Sequence, residues 1–267
     1  MSNRMPNSTV VFLARLAAAV TVLLAAAALA DEPRSCFVLR EAGKGDVVRK
    51  GGEECKKRST PASTFKIPHA LIALETKVFG EHERLTMKTD ARFRRWGGPH
   101  TLKSATHDSV LPFFQTLAKR IGRSREKEWL KKLDYGNRDA SGPVDQFWIN
   151  GTLRISPDEQ VAFVEKLFEG KLPVSAHSAA YVRDAISHKP GTWFATGEEH
   201  AIERWPQDAK LYAKSGYSGG PDAVSWYVGA VERDGKTWVF ASRVEHAQAM
   251  DDDAAQAMRE LRAAGVF

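Results

Sequence analysis

The sequence predicts an α+β fold in which a helical region is inserted into an antiparallel sheet. Short apolar segments that suit strands stand near both ends of the chain, at residues 37–39, 47–49, 223–231 and 237–244. The long stretch between them, residues 64–189, carries mainly helix signals. A closing helix is indicated at residues 253–264. The order of strand pair, helical block, strands and helix is typical of such a mixed architecture.

Residues 1–30 have the pattern of a secretory signal peptide. Arg4 and Arg15 supply a basic start without an acidic residue, residues 16–27 form an apolar run, and Ala28-Leu29-Ala30 fits a cleavage site. The run is shorter than the roughly 20 residues that span a bilayer, so an uncleaved anchor is the lesser interpretation. We therefore expect a periplasmic domain of residues 31–267, with an α/β part at about 31–60 and 191–267 and a helical part at about 61–190.

The first two predicted strands bring the two cysteines together. Residues 37–39 and 47–49 are joined through Gly43-Lys44-Gly45, and a hairpin there would place Cys36 near Cys55. Export implies an oxidising compartment, so we expect a disulfide rather than two buried free thiols. A metal site is not expected, because no histidine or cysteine partner has ligand spacing.

The clearest helix covers residues 158–168. Ser156 can cap it, Pro157 fits the first helical position, Glu159 completes a capping box, and Gly170 ends it. Two further helices are indicated by residues 113–121 before Gly122 and by residues 177–188 before Pro190. Among the strands, Asp234-Gly235 predicts a hairpin between residues 223–231 and 237–244.

The charge distribution argues against a nucleic-acid partner. The chain carries 39 basic and 33 acidic residues, a net charge of +6, and the two signs are interspersed, as in residues 50–57 and 123–132. Such runs indicate solvated faces, and no basic stripe with interleaved aromatic residues is present. The eight histidines are scattered without ligand spacing, so we interpret them as structural or surface residues.

Ser63-Thr64-Phe65-Lys66 is the candidate chemical motif. At the start of a helix, residues three apart share a face, so the hydroxyl of Ser63 and the amine of Lys66 point into the same space. A serine becomes a nucleophile when an adjacent base removes its proton, and lysine can be that base if it is neutral or modified. Pro68 lies in the same helix, where it costs about 3 kcal/mol in an interior position, so we expect an irregular first turn.

Three later segments extend this motif: Ser109-Val110-Leu111, Tyr135-Gly136-Asn137 and Lys214-Ser215-Gly216, the last at the end of a strand that we predict at residues 210–213. In this order the set resembles the class D, or oxacillinase-type, serine β-lactamases. Phe147-Trp148 and Trp226-Tyr227-Val228-Gly229 also look like that family, and the resemblance runs from about Cys36 to Val244. It implies an antiparallel sheet flanked by N- and C-terminal helices, with the site in the crevice beside the inserted helical region.

The resemblance implies a role for each catalytic candidate. Ser63 would be acylated by the β-lactam, and Lys66 would react with carbon dioxide to form N6-carboxylysine, the base for acylation and deacylation. The indole N–H of Trp148 would hold that carboxyl group. Ser109 would relay a proton near the leaving nitrogen, although it could instead cap a helix, and Lys214 would keep the pocket positive. No other cofactor is implied.

The resemblance also implies how substrate is held. Ser215 keeps a hydroxyl for the substrate carboxylate, Gly216 follows it, and Tyr217 matches the position whose backbone N–H completes the oxyanion hole. Leu111 replaces the valine that overhangs the modified lysine. The family arginine that anchors the carboxylate has no clear counterpart, and Arg243 is our candidate, with a solvent-facing strand residue as the alternative.

Other functions remain to be separated from this one. Gly216 to Gly220 matches the G-x-S-x-G elbow of α/β-hydrolases, but Gly219-Gly220-Pro221 prevents the helix that must follow. The stronger alternative is a penicillin-binding or sensor-type protein that is acylated but turns over poorly, and a non-catalytic binding module is the third. We expect a small-molecule β-lactam as the partner, a monomer or homodimer, and no membrane attachment after signal cleavage.

Overall fold

The structure is a computed structural model that describes residues 34–195, 198–220, 222–247 and 252–267. The predicted signal peptide and its cleavage site lie outside the described residues. No helix in the described ranges is long and apolar enough to cross a membrane.

Nine strands form one large and two small sheets in the described chain. They are β1 (Ser35–Glu41), β2 (Gly45–Lys50), β3 (Leu85–Met87), β4 (Gly98–His100), β5 (Thr192–Ala195), β6 (Glu198–Ala201), β7 (Lys210–Tyr217), β8 (Val224–Arg233) and β9 (Lys236–Glu245). The large sheet has the order β2-β1-β9-β8-β7 and its pairs are antiparallel. The small sheets pair β3 with β4 and β5 with β6.

The helices lie mainly between the two groups of large-sheet strands, as the sequence predicts. They are α1 (Lys66–Glu75), α2 (Leu102–His107), α3 (Leu111–Ile121), α4 (Arg123–Lys132), α5 (Pro157–Phe168), α6 (Ala176–Ala185) and α7 (Asp252–Ala263). Short 3₁₀ turns cover Gly52–Lys56, Ala62–Phe65 and Arg94–Trp96. The α+β prediction is therefore confirmed.

Alternation along the strands divides the core between the two faces of the large sheet. Cys36 and Val38 belong to the cluster that includes the helical region, whereas Phe37 and Leu39 belong to the cluster that includes α7. Successive side chains of a strand point to opposite faces, so one apolar strand serves both layers. The sheet is consequently buried on both sides, and the helical region packs on one of them.

Local signals fix several elements where the sequence predicts them. The Ser156 hydroxyl accepts from the Glu159 amide, and the Glu159 side chain accepts from the Ser156 amide, so the capping box at α5 is confirmed. Cys36 and Cys55 are joined by a disulfide that ties β1 to the turn Gly52–Lys56. Pro68 causes no break, because it is the third residue of α1, where an amide has no intrahelical partner.

Candidate active site

Ser63 sits in a strained turn between Pro61 and α1. Ala62 has φ of +48°, a left-handed conformation that is uncommon outside glycine. The Thr64 hydroxyl donates to the Pro61 carbonyl at 2.7 Å and accepts from Gln160 on α5 at 2.7 Å. These bonds hold the irregular first turn that the sequence predicts, and they leave Ser63 half-buried at the wall of a cleft.

Lys66 lies one helical turn beyond Ser63 and is fully buried. Its Nζ is 2.6 Å from the Ser63 Oγ and 5.5 Å from the ring centroid of Phe114. Burial places the pKa of Lys66 well below its ordinary value, and the nearby positive charge of Lys214 lowers it further. A neutral amine has a free lone pair, so Nζ can accept the proton of the Ser63 hydroxyl.

Ser109 and Lys214 form a second pair in the same cleft. The Lys214 Nζ donates to the Ser109 Oγ at 3.0 Å and to the Ser215 carbonyl at 3.0 Å. Burial lowers the pKa of Lys214 to about 7, against the opposing effect of the negative charges of Asp253 and Asp108. Ser109 has φ of +58°, and α3 is capped by Val110, so the hydroxyl points to Lys214 and does not cap the helix.

The Lys214-Ser215-Gly216 segment lies inside β7 and not at the end of a strand. The strand continues to Tyr217, because each residue from Lys210 onward pairs with β8. A Cβ on Gly216 would meet the Pro61 carbonyl, the Thr64 amide and the Thr64 methyl at 3.1 Å each. Contacts this short are tighter than most real Cβ contacts, so glycine lets β7 pass close to the Ser63 turn without a shift, which closes the cleft between the sheet and the helical region.

The cleft encloses about 680 Å³ next to Ser63. Its wall includes Ser109, Leu111, Ser215, Gly216 and Tyr217 from the sequence-predicted set. All four catalytic candidates therefore meet here in two contacts, Ser63 with Lys66 and Ser109 with Lys214. Trp148, which the resemblance assigns to the carboxyl group on Lys66, lies behind the cleft wall.

Trp148 is fully buried and does not line the cleft, so it is not a substrate-binding residue. Its ring packs against Phe65 at 5.9 Å and Phe147 at 5.1 Å between centroids. The indole Nε1 is a buried donor without a hydrogen-bond partner among the described residues. A buried N–H group normally donates a hydrogen bond to an acceptor. The indole N–H is therefore suited to an acceptor that the unmodified side chains do not supply.

The comparisons with known proteins agree on one family. A model of the penicillin-binding protein transpeptidase domain matches residues 36–262. Beta-lactamase OXA-48 of Klebsiella pneumoniae is 39% identical over 189 residues, which cover 69% of this chain and 65% of that protein. Beta-lactamase OXA-10 of Pseudomonas aeruginosa is 32% identical over 223 residues, which cover 81% of this chain and 78% of that protein.

A solved structure described as the class D beta-lactamase BAT-2 aligns with a TM-score of 0.76 and 29% identity, covering 88% of this chain and 93% of that chain. The chain belongs to the class D β-lactamases. The BPu1 beta-lactamase structure is similar to this class D β-lactamase at a TM-score of 0.77 and 30% identity, over 88% and 94% of the two chains. Membership places the protein among the enzymes that hydrolyse the amide bond of β-lactams.

Arg243 does not reach the cleft of this class D β-lactamase, so its assignment as the carboxylate anchor is wrong. On β9 it pairs with Cys36 and Trp226, and its side chain is fully buried. The guanidinium donates to the Lys57 carbonyl at 2.5 Å and lies 3.2 Å from a Glu54 oxygen. The alternative, a solvent-facing strand residue, is also wrong, because the Arg243 side chain is fully buried. It ties β9 to the turn after Cys55.

The Tyr135-Gly136-Asn137 turn is structural. Tyr135 is fully buried, and a Cβ on Gly136 would lie 2.1 Å from the Arg154 carbonyl. The Asn137 side chain donates to the Thr152 carbonyl and accepts from the Arg154 amide. None of these three residues lines the cleft, so the turn acts on the site only through the residues that it supports.

Sequence reasoning missed the mouth of the cleft. The added wall residues are Ala62, Ala91, Arg92, Phe93, Arg94, Arg95, Trp96, Asp108, Ile149, Phe194, Ser218 and Gly219. Phe93 stacks on Trp96 at 4.2 Å, and Arg95 lies over the Phe194 ring at 5.3 Å. The alternation of basic and aromatic residues at 92–96 is the one signal that could have drawn attention to this segment.

Proposed function

We propose that this class D enzyme hydrolyses the β-lactam ring of penicillin-type antibiotics through an acyl-enzyme on Ser63. The observation that carries the proposal is the 2.6 Å contact between the half-buried Ser63 hydroxyl and the buried amine of Lys66. A lysine with a pKa well below its ordinary value can act as a base at neutral pH. The cleft beside this pair is large enough for a bicyclic lactam.

In the acylation step, the Ser63 Oγ attacks the lactam carbonyl carbon and passes its proton toward Lys66. The negative oxygen that develops would be held by the backbone N–H groups of Ser63 and Tyr217, two residues that line the cleft. Each such donor contributes roughly 2.7–4 kcal/mol to transition-state stabilisation in comparable sites. The strained φ at Ala62 supports this view, because strain concentrates at sites where geometry is held for chemistry.

Ring opening then requires a proton on the leaving nitrogen. Ser109 can donate its hydroxyl proton to that nitrogen and take one from Lys214, whose Nζ is 3.0 Å away. A donor with a pKa of about 7 is well matched to transfer near neutral pH. Ser215, on the same strand, offers a hydroxyl to the substrate carboxylate.

The residues around Lys66 fit a carboxyl group on its Nζ. The amine is buried and its pKa is well below its ordinary value, which favours the neutral form that reacts with carbon dioxide, and the Nε1 of Trp148 is a buried donor without a partner among the described residues. When present, the carboxyl group supplies a general base for the water that releases the acyl group. Within this proposal Trp148 orients that base, and Leu111 limits the space above it.

The alternative is a protein that is acylated and then stalls, as in penicillin-binding and sensor proteins. The buried amine of Lys66 supports turnover, because deacylation needs a base beside the acylated serine as much as acylation does. We further propose export by the predicted signal peptide to the periplasm, which the Cys36–Cys55 disulfide supports. The mature protein as a monomer or homodimer stays a prediction.

Intact-mass spectrometry tests the nucleophile assignment. Wild-type protein mixed with a penicillin should show a short-lived adduct of one substrate mass, and Lys66→Ala should form it slowly and then retain it, because the base for both steps is lost. Peptide mapping should place the adduct on Ser63, and Ser63→Ala should give none. An adduct on Ser109, or turnover by Ser63→Ala, would refute the assignment.

A further inference from the structure

Positive charge is concentrated at the mouth of the cleft. The residues that line the cleft include three arginines, Arg92, Arg94 and Arg95, and one acidic residue, Asp108. A guanidinium keeps its positive charge throughout the ordinary pH range, so this excess does not depend on titration. The cleft therefore favours an anionic ligand, and penicillins carry a carboxylate on the ring that is fused to the lactam.

Two of the three arginines are poorly placed to bind that carboxylate. Arg92 is already bound to the Asp90 carboxylate through two hydrogen bonds, at 3.3 and 3.1 Å, and its side chain is largely exposed. The Arg94 side chain is exposed and has no hydrogen bond or ion pair with another described residue. It would lose the freedom of a long side chain on binding, which opposes complex formation.

Arg95 is placed by its neighbours but keeps its hydrogen-bond donors. Its guanidinium lies over the Phe194 ring at 5.3 Å. Its Nη1 is 3.9 Å from the Asp108 Oδ1, which is close enough for charge attraction but too long for a hydrogen bond. The side chain is 50% exposed, and it makes no hydrogen bond with another described residue. Arg95 can therefore give a carboxylate two parallel hydrogen bonds while its position is already set.

The stretch that carries Arg95 is held against the reacting groups. The Trp96 indole donates to the Asp108 carbonyl at 3.2 Å, so this stretch lies beside the residue that precedes Ser109. The Ser109 Oγ, 3.0 Å from the Lys214 Nζ, is the proposed proton donor to the leaving nitrogen. In a penicillin the carboxylate is carried by the carbon bonded to that nitrogen. The carboxylate therefore lies on the side of the substrate that faces Ser109, where Arg95 is placed.

The backbone after Trp96 restricts this stretch further. A Cβ on Gly97 would lie 2.3 Å from the Thr89 Oγ1 and 2.9 Å from the Thr89 Cα, so the chain passes too close to Thr89 for a larger residue. Phe93 stacks on Trp96 with 4.2 Å between ring centroids. Close packing on both sides favours a fixed position for the turn Arg94–Trp96.

We propose, on the basis of the penicillin hydrolysis of the proposed function, that Arg95 is a substrate-binding residue that holds the ring carboxylate. It does so together with the Ser215 hydroxyl and in place of Arg243, whose guanidinium is bound to the Lys57 carbonyl. Because Arg95 is half exposed, we expect its contribution at the lower end of the range for hydrogen bonds to charged groups, about tenfold in affinity.

The test measures dissociation constants in a Ser63→Ala background, which has no nucleophile at that position, for benzylpenicillin and for its uncharged methyl ester. Adding Arg95→Gln should weaken binding of benzylpenicillin about tenfold and leave binding of the ester within about twofold. Arg94→Gln removes the same charge from the same stretch. It should weaken binding of benzylpenicillin only about twofold, through the general positive field of the mouth.

Arg120→Gln is the matched control for loss of an arginine that contacts both a ring and a carboxylate. The Arg120 guanidinium lies over the Phe79 ring at 5.4 Å and 2.5 Å from a Glu83 oxygen, and it does not line the cleft. Binding of benzylpenicillin and of the ester should both match the Ser63→Ala background.

Three outcomes overturn the proposal. They are unchanged affinity for benzylpenicillin in Arg95→Gln, equal losses for the acid and the ester, which indicate a change in the shape of the mouth, and a loss in Arg94→Gln as large as that in Arg95→Gln, which indicates a diffuse field. A protein with intact Ser63 that binds benzylpenicillin without hydrolysing it contradicts the proposed function instead, and the binding comparison still decides the role of Arg95.

Discussion

Replacing Trp148 with phenylalanine removes one hydrogen-bond donor while keeping an aromatic ring in place. The indole is fully buried between Phe65, Phe147 and His69, and its Nε1 has no partner among the described residues. If that donor holds a carboxyl group on Lys66, its loss removes a hydrogen bond to a charged group, worth about 1.5–3 kcal/mol. The carboxylation equilibrium should therefore weaken by roughly 10- to 150-fold.

The assay is β-lactam hydrolysis by Trp148→Phe over a range of bicarbonate concentrations. Activity without added bicarbonate should fall by at least tenfold and should recover toward the wild-type rate as bicarbonate rises. Trp129→Phe is the control, since Trp129 belongs to the same core cluster but its ring lies beside the Lys132 amine. Equal loss of activity at every bicarbonate concentration would refute the holding role and would indicate a packing defect.

Three further substitutions test other parts of the account. The pKa of Lys214 is about 7 in the folded chain and near 10.4 when unfolded, so the unfolded state binds more protons between these values and stability rises with pH there. In denaturant unfolding between pH 7.5 and 9, the free energy of unfolding of the wild type should rise by about 1.4 kcal/mol per pH unit, and Lys214→Met should lack this rise. An equal pH dependence of stability in the two proteins would contradict the lowered pKa of Lys214. Gly216→Ala forces β7 away from the Ser63 turn, so kcat/KM should fall about 100-fold with the far-UV circular dichroism unchanged, whereas wild-type kinetics would show that the close approach is unimportant. Arg243→Met should lower the free energy of unfolding by about 3 kcal/mol and leave KM unchanged, and a raised KM with intact stability would restore its role as an anchor.

Short-range patterns explain why much of the site could be predicted. The spacing of Ser63 and Lys66 fixes a shared helix face, and this survives even though the first turn is 3₁₀. The Ser156–Glu159 capping box and the Asp234-Gly235 hairpin are likewise local, because each is satisfied within a few residues. Family resemblance then supplied Ser109 and Lys214, whose contact spans 105 residues of sequence.

The failures came from features that depend on tertiary packing. Whether Arg243 points outward or inward depends on the register of β9 against β1 and β8, which the sequence of one strand does not reveal. The buried contact between His69 and Glu126 joins residues 57 positions apart, and nothing local to either residue marks them as a pair. Residues 91–96 reach the cleft mouth only because the chain folds back over it.

The most direct measurement is a time course of chromogenic β-lactam hydrolysis by the purified protein of residues 31–267 with bicarbonate present. The account predicts many turnovers per enzyme molecule and a steady rate that Ser63→Ala abolishes. One equivalent of product followed by a plateau would contradict it, because it would mean that the chain is acylated at Ser63 but lacks a working base for deacylation.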